Sequence, residues 1–519
     1  MANPGKLLLM ISASCFGLLA CGSSGNRGNP GTGGTGAAGS AGNGAGGDVA
    51  GSGGTTGASG SSGGGSTGSG GTTGSGGTAA TTGAAGTGGG AGGTIGSGGS
   101  SAGAGGRGGS AAGAGGRGGS SAGGSGGTGG VAGAAGTAGA GGTATTKWVG
   151  TWTASPYYDS GNQPPASLSN SVLRQVAHVS LGGSQIRVLF SNLGGNGPVT
   201  ISSAHIALCR ATPAVDSTID TTTDKALAFS GSASVTIAQG QETWSDPIAF
   251  TVPNQGNITI TTAFGSVPTN VVGHSGSRTT SYLQTASTNV TAASMTSAMT
   301  FQHWYYISGI DVMADASAMG IVAIGDSITD GRGTDNDKNN RWTDIMAARV
   351  QANSATANVS TMNQGIGATN LIGTGGTAAQ ARFARDVLGQ SGVRYAIVFD
   401  GVNDIGGGAS FASMQAAYDS LISQARVKGV LIYGATITPF GGNSYYTAAH
   451  EMVRQQVNTY IRSGAFDGYI DFDAALTDGG NPPMLQAAYA AWAQMDGLHP
   501  GPAGYQKMGD SVDLTLFTR

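Results

Sequence analysis

From Trp148 onward the chain carries two successive hydrophobic rhythms. In the first, apolar side chains recur at every second position in short runs, at 172–181, 184–193, 199–208, 234–238 and 257–263. Successive side chains on a strand point to opposite faces of a sheet, so this alternation predicts strands. Turn-forming clusters such as Gly182-Gly183 and Gly194-Gly195-Asn196-Gly197-Pro198 separate the runs, and no helical period intervenes. The pattern predicts an antiparallel, β-sandwich-like domain over residues 147–315.

The second rhythm begins at Ala318. Continuous apolar runs at 320–324, 359–362, 393–399, 430–435 and 469–472 alternate with stretches at 341–350, 379–388, 413–427 and 446–461, whose apolar residues are spaced by three and four. Unbroken apolar runs suit strands covered on both faces, and the intervening spacing suits one-sided helices. The βαβα order predicts an α/β domain with a parallel sheet over residues 316–519. In open sheets of this kind, sites form beyond the carboxyl ends of the strands.

Neither rhythm exists before Lys147. Lys6 followed by the apolar residues 7–19 has the charge order of a secretory signal, and is shorter than the roughly 20 residues a spanning helix needs. The run ends in Leu18-Leu19-Ala20-Cys21-Gly22, which resembles the lipobox of bacterial lipoproteins. That resemblance implies cleavage before Cys21 and lipidation of its thiol, with export across a bacterial inner membrane and anchoring at the cell envelope; plain secretion is the alternative. Residues 22–146 are Gly, Ser, Thr and Ala with almost no large apolar side chains, a composition that cannot offset the entropy of ordering and predicts a disordered linker. Gly60-Ser61-Ser62-Gly63-Gly64 fits the G-x-S-x-G hydrolase pattern there by composition alone, without the strand and helix that a nucleophile elbow requires.

A net charge of −3 with 9% charged residues offers no basic stripe for nucleic acid and no polybasic face for anionic lipid. Membrane contact is therefore expected through the lipid anchor only. Of three cysteines, Cys209 alone lies in the region expected to fold, so no internal disulfide is expected there, and no Cys/His spacing resembles a zinc site. In the run Ile206-Ala207-Leu208-Cys209, Cys209 reads as a small buried hydrophobe.

Four polar clusters interrupt the second rhythm: Gly325-Asp326-Ser327-Ile328-Thr329 after the first strand, Asn363-Gln364-Gly365-Ile366-Gly367 after the second, Gly401-Val402-Asn403-Asp404 after the third, and Asp496-Gly497-Leu498-His499-Pro500 before a closing helix from Pro502. A serine hydroxyl needs a base within reach and a carboxylate that orients the imidazole. Asp496 and His499 supply both from one turn, and His499 is the one histidine with an aspartate three residues before it. Glycine-rich turns let backbone N–H groups approach an oxyanion, and an asparagine amide adds a further donor. Asp326 is assigned a structural role, because adjacent residues on a tight turn point apart. His274, in the loop-like Gly273-His274-Ser275-Gly276, reads as a solvated loop histidine, with a place bordering the site from the β-rich domain as the alternative; Arg341-Trp342 reads as either a substrate contact or a plain helix start.

GDSIT, N-x-G-I-G, G-x-N-D and D-x-x-H in this order resemble the four blocks of the SGNH, or GDSL-type, hydrolases. The region from Trp148-Val149-Gly150-Thr151-Trp152 to His303-Trp304-Tyr305 resembles more loosely the β-rich front of secreted bacterial SGNH esterases of the arylesterase and xylan-associated acyl hydrolase types. The resemblance implies a flavodoxin-like parallel sheet flanked by helices, and a serine esterase without metal or cofactor. It makes Ser327 the nucleophile and a backbone oxyanion donor, His499 the base, Asp496 its orienting acid and Asn403 a side-chain donor. The remaining donor falls on Ala368, where the family commonly has glycine, or on Gly367 if the alignment shifts by one. Expected substrates are short acyl esters of a carbohydrate, whether small molecule or polysaccharide, or of an aryl alcohol. An acyltransferase using the same intermediate, and a glycan-binding protein that has lost catalysis, are the alternatives; oligomeric state is not legible.

Overall fold

The computed structural model describes residues 145–210, 216–490 and 496–519. The signal, Cys21 and the glycine-rich segment lie outside the described residues.

The first hydrophobic rhythm forms two antiparallel sheets. One contains Thr146–Thr153, Ile307–Asp315, Gly183–Ser191 and Glu242–Trp244 in that order, with Ile248–Val252 also paired to Gly183–Ser191. The other is seven-stranded and centred on Val172–His178, Asn257–Phe264 and Val199–Leu208. Val149, Ile186, Val188, Ile310 and Val312 from the first sheet and Leu173, Ile201, Ile206, Ile258 and Ile260 from the second are fully buried in one shared core. This is the two-layer arrangement that alternating side chains require. A small third sheet joins Tyr157–Tyr158, Val272–His274 and Trp304–Tyr305.

The second rhythm forms a five-stranded parallel sheet from Met319–Gly325, Val359–Gly365, Val393–Phe399, Leu431–Ala435 and Gly468–Ile470. In chain order the strands lie 2-1-3-4-5 across the sheet, the flavodoxin-like arrangement. Separate apolar clusters cover its two faces. Val322, Ile324, Ala396 and Val398 point to one, with Phe383, Leu421 and Val457 from the helices; Ile321, Ala323, Tyr395 and Ile397 point to the other, with Trp342, Met346 and Tyr505. Helices Trp342–Ala352, Ala379–Asp386, Phe411–Val427 and Ala448–Arg462 match the predicted stretches closely. The last begins at Ala448 and not at Tyr446, because the Thr447 side chain accepts the N–H of His450 and fixes the first turn there.

The antiparallel region packs along the parallel sheet at its Val359–Gly365 edge. Gly150 N–H donates to Ser391 O at 2.9 Å, Ser360 Oγ to Gly150 O at 2.6 Å, and Thr153 Oγ1 to Asn363 O at 3.0 Å. Asp311, 2% exposed, takes Arg187 Nη2 at 2.6 Å and Ser391 Oγ at 2.7 Å.

Candidate active site

Strand Met319–Gly325 ends in a tight turn into a four-residue helix, Ser327–Asp330. Gly325 makes the turn possible: a Cβ there would overlap Phe399 O and the Thr329 side chain. Asp326 caps the helix by accepting Ile328 N–H at 2.9 Å, the structural role expected of it, and leaves Ser327 at the helix start. The Ser327 N–H has no acceptor among the described residues.

His499 is delivered by the segment before the closing helix Pro502–Ser511. That helix is fixed relative to the serine turn by Tyr505, fully buried, whose hydroxyl donates to Arg332 O at 2.7 Å. His499 Nε2 lies 2.7 Å from Ser327 Oγ, and its Nδ1 lies 2.6 Å from Asp496 Oδ2. The second carboxylate oxygen of Asp496 accepts the N–H groups of Leu498 and His499, each at 3.0 Å. Partial burial raises the Asp496 carboxyl, but the His499 side chain and these backbone donors outweigh it and hold the group well below the usual carboxylate range. Ser327 and His499 are each 7% exposed, so the pair lies at the edge of the protein interior.

The other two clusters close around the same turn. Ile366 N–H donates to Gly325 O at 3.0 Å, and Gly365 packs against the backbone of Thr329 and Asp330 so closely that a Cβ would not fit. Ala368 has a φ of 58°, the left-handed conformation that glycine ordinarily supplies. Asn403 Nδ2 donates to Thr369 O at 2.7 Å, and Asp404 takes the N–H groups of Leu371 and Ile372 at 2.7 and 3.0 Å. The N–H of Ala368 and the second hydrogen of the Asn403 amide have no acceptor among the described residues. Sequence separations of about 30 to 170 residues thus collapse onto one turn.

Behind Ser327 the structure departs from expectation. His274 is not solvated: it ends strand Val272–His274, is 5% exposed, and places Nε2 at 2.8 Å from Asp330 Oδ1 and Nδ1 at 3.0 Å from Ser155 O. Burial alone would raise Asp330, but the charges of His274, Arg278 and Arg341 lower it below the ordinary value. Arg341 and Trp342 are both buried; Arg341, at the start of helix Trp342–Ala352, donates to Asp330 O at 2.8 Å and to the carbonyls of Gly276 and Ser277. Arg382, which the sequence did not single out, donates to Gly325 O at 3.0 Å, Gln364 O at 2.5 Å and Ser155 Oγ at 3.0 Å, joining two strand ends to the antiparallel region. Asp400 is buried, and burial together with the nearby Asp326 drives its carboxyl well above the usual range. Cys209 is partly buried beside Thr259 Oγ1 at 3.0 Å, and burial pushes its thiol up to about 11. Among the described residues no group of three or more His, Cys, Asp or Glu is placed to hold a metal ion.

Among solved structures, a G-D-S-L family lipolytic protein from Veillonella parvula is similar at 21% identity, covering 39% of this chain and 100% of that one, with a TM-score of 0.28. A variant acetyl xylan esterase from Geobacillus stearothermophilus is 21% identical over 38% of this chain and 93% of its own, with a TM-score of 0.29. A GDSL-like lipase from Bacteroides thetaiotaomicron is 16% identical over 38% and 87%, also with a TM-score of 0.29. No curated protein matches the chain. Residues 323–507, which hold the Ser327 turn, the loops of Ala368 and Asn403 and the Asp496–His499 segment, match the GDSL-like lipase/acylhydrolase family. The family match thus covers the parallel-sheet domain and not the antiparallel region before it.

Proposed function

We propose that the protein is a serine esterase that hydrolyses short-chain carboxylic esters, acetyl esters of carbohydrates or aryl esters, through an acyl-enzyme on Ser327. The observation that carries this reading is the continuous hydrogen-bonded chain Ser327 Oγ, His499, Asp496 on a strand-to-helix turn. In the first half-reaction Ser327 Oγ attacks the ester carbonyl while His499 Nε2 takes its proton. Asp496 accepts the Nδ1 hydrogen, fixes the tautomer and stabilises the imidazolium. The oxyanion is met by the N–H groups of Ser327 and Ala368 and by the Asn403 amide, all fixed before the charge develops. His499 then returns the proton to the leaving alkoxide, and water repeats the sequence on the acyl-enzyme. The alcohol and acyl preferences rest on the resemblance of the front region to secreted arylesterases and xylan-associated acyl hydrolases.

The test offers the protein p-nitrophenyl acetate, butyrate and octanoate and an acetylated xylan, with Ser327→Ala as control. Turnover favouring the acetyl substrates and lower in the variant by about 10⁴ to 10⁶-fold is expected. A wild type inert on every ester, or a variant that matches it, would sink the proposal. Export and lipidation at Cys21 belong to the same reading, supported by the order Lys6, apolar residues 7–19 and Leu18-Leu19-Ala20-Cys21. Cells labelled with an alkynyl fatty acid should tag the wild type and not Cys21→Ala; equal labelling would remove the anchor.

A further inference from the structure

The loop between strand Leu431–Ala435 and helix Ala448–Arg462 touches both halves of the site. Asn443 Nδ2 donates to Asp496 O at 2.6 Å, on the acid–base side. Two residues on, Tyr445 Oη lies 3.1 Å from Asn403 Oδ1, on the oxyanion side. No sequence motif marks Tyr445.

The direction of each bond follows from chemistry. Thr369 O only accepts, so the nitrogen of the Asn403 amide faces it at 2.7 Å and the oxygen is turned the other way. That oxygen carries no hydrogen, so Tyr445 donates. With one N–H spent on Thr369 and the oxygen held by Tyr445, the amide plane is fixed at two points. A single N–H remains, without an acceptor among the described residues. Left with one anchor, the amide would swing about its Cβ–Cγ bond, a torsion with broad wells. Donation to Oδ1 also withdraws charge from the amide and strengthens the remaining N–H as a donor.

Tyr445 is itself held firmly. Its N–H donates to Asn443 Oδ1 at 2.8 Å and its carbonyl accepts from His450 Nδ1 at 2.7 Å. Its ring lies against Gly406, where a Cβ would collide with it. We propose that Tyr445 is a positioning residue, whose hydroxyl holds the Asn403 amide with its free N–H turned to the developing oxyanion. This rests on the reading of Asn403 as an oxyanion donor.

The test is a double-mutant cycle on the full chain with p-nitrophenyl acetate. Tyr445→Phe keeps the ring and removes the bond, and should lower kcat about tenfold with KM within roughly twofold, since the bond matters to the transition state more than to bound substrate. Asn403→Ala should lower kcat by about 10² to 10³-fold. The double variant should be no slower than Asn403→Ala alone, because the hydroxyl then has nothing to orient. A Tyr445→Phe enzyme with the wild-type kcat, or losses that multiply in the double variant, would overturn the positioning role while leaving Asn403 as a donor. An Asn403→Ala enzyme as fast as the wild type would instead remove the oxyanion reading on which the proposal stands.

Discussion

Two Asp–His pairs flank the Ser327–Asp330 helix with nearly the same bond length, 2.6 Å for Asp496–His499 and 2.8 Å for Asp330–His274, and different surroundings. The difference lies in what the far nitrogen of each ring meets. His499 presents Nε2 to Ser327 Oγ, a group that has a proton to give. His274 presents its second nitrogen to Ser155 O, a carbonyl that can only accept, and Asp330 on the other side is likewise held as an acceptor. Both His274 nitrogens are thus taken up by fixed partners, and the ring ties the antiparallel region to the serine helix. An Asp–His contact is thus no signature of catalysis; the third partner decides whether the ring is a base or a tie.

Replacing each histidine separates the two roles most directly. His499→Ala should lower kcat by roughly 10⁴ to 10⁶-fold with little change in melting temperature, because the ring sits at the edge of the interior. Asp496→Asn should keep the geometry and lower kcat by about 10⁴-fold through the wrong tautomer. His274→Ala should do the reverse, leaving a buried carboxylate without its main partner and costing about 3–5 kcal/mol of stability, with activity per folded molecule within tenfold of the wild type. Thermal melts beside initial rates read both axes. A His274→Ala protein with normal stability and lost turnover would make His274 part of the chemistry.

Acidity sharpens the contrast between the carboxyls. Asp496 and Asp330 are depressed in the folded state, so their stabilisation is fully present above the ordinary unfolded value and is lost as pH falls through the folded one. Asp400 is shifted the other way by burial, so the folded state is penalised as pH rises above the ordinary carboxylate value. Asp400→Asn should raise the melting temperature by a few degrees at pH 8 and hardly at all at pH 4; an equal gain at both would mean that Asp400 does not titrate. The smallest effect is expected at Ala368, where Ala368→Gly relieves a left-handed φ of 58° and should gain at most about 1 kcal/mol with activity kept. Ala368→Val at the same φ should lower both, and a Val variant equal to wild type would show that the loop has room to rearrange.

What could be read in advance follows the range of the interactions. Val199–Leu208 and Val393–Phe399 were legible to the residue, because strand period and flanking turns are local. Asp496 and His499 were legible for the same reason, three residues apart on one turn. Strands Thr146–Thr153 and Ile307–Asp315, which pair side by side, leave no such local signal, since their register joins residues some 160 positions apart. His274 looked solvated because its neighbours are glycine and serine, while its partner lies 56 residues away. Tyr445 belongs to none of the sequence motifs, and only the fold shows its hydroxyl at Asn403.

The sequence alone determined the two rhythms, hence a β-rich region followed by a parallel α/β sheet, and the residue types that four strand-end clusters would bring to its carboxyl edge. Backbone preferences and side-chain periodicity act within a few residues, so they can be read from composition and spacing. Tertiary structure alone decided that Ser327 and His499, 172 residues apart, are 2.7 Å apart in space, that Ala368 takes a left-handed turn, and which of two Asp–His pairs faces a hydroxyl. Those facts depend on how whole sheets pack and where their edges meet, a balance of burial summed over the entire core that no short stretch of sequence contains.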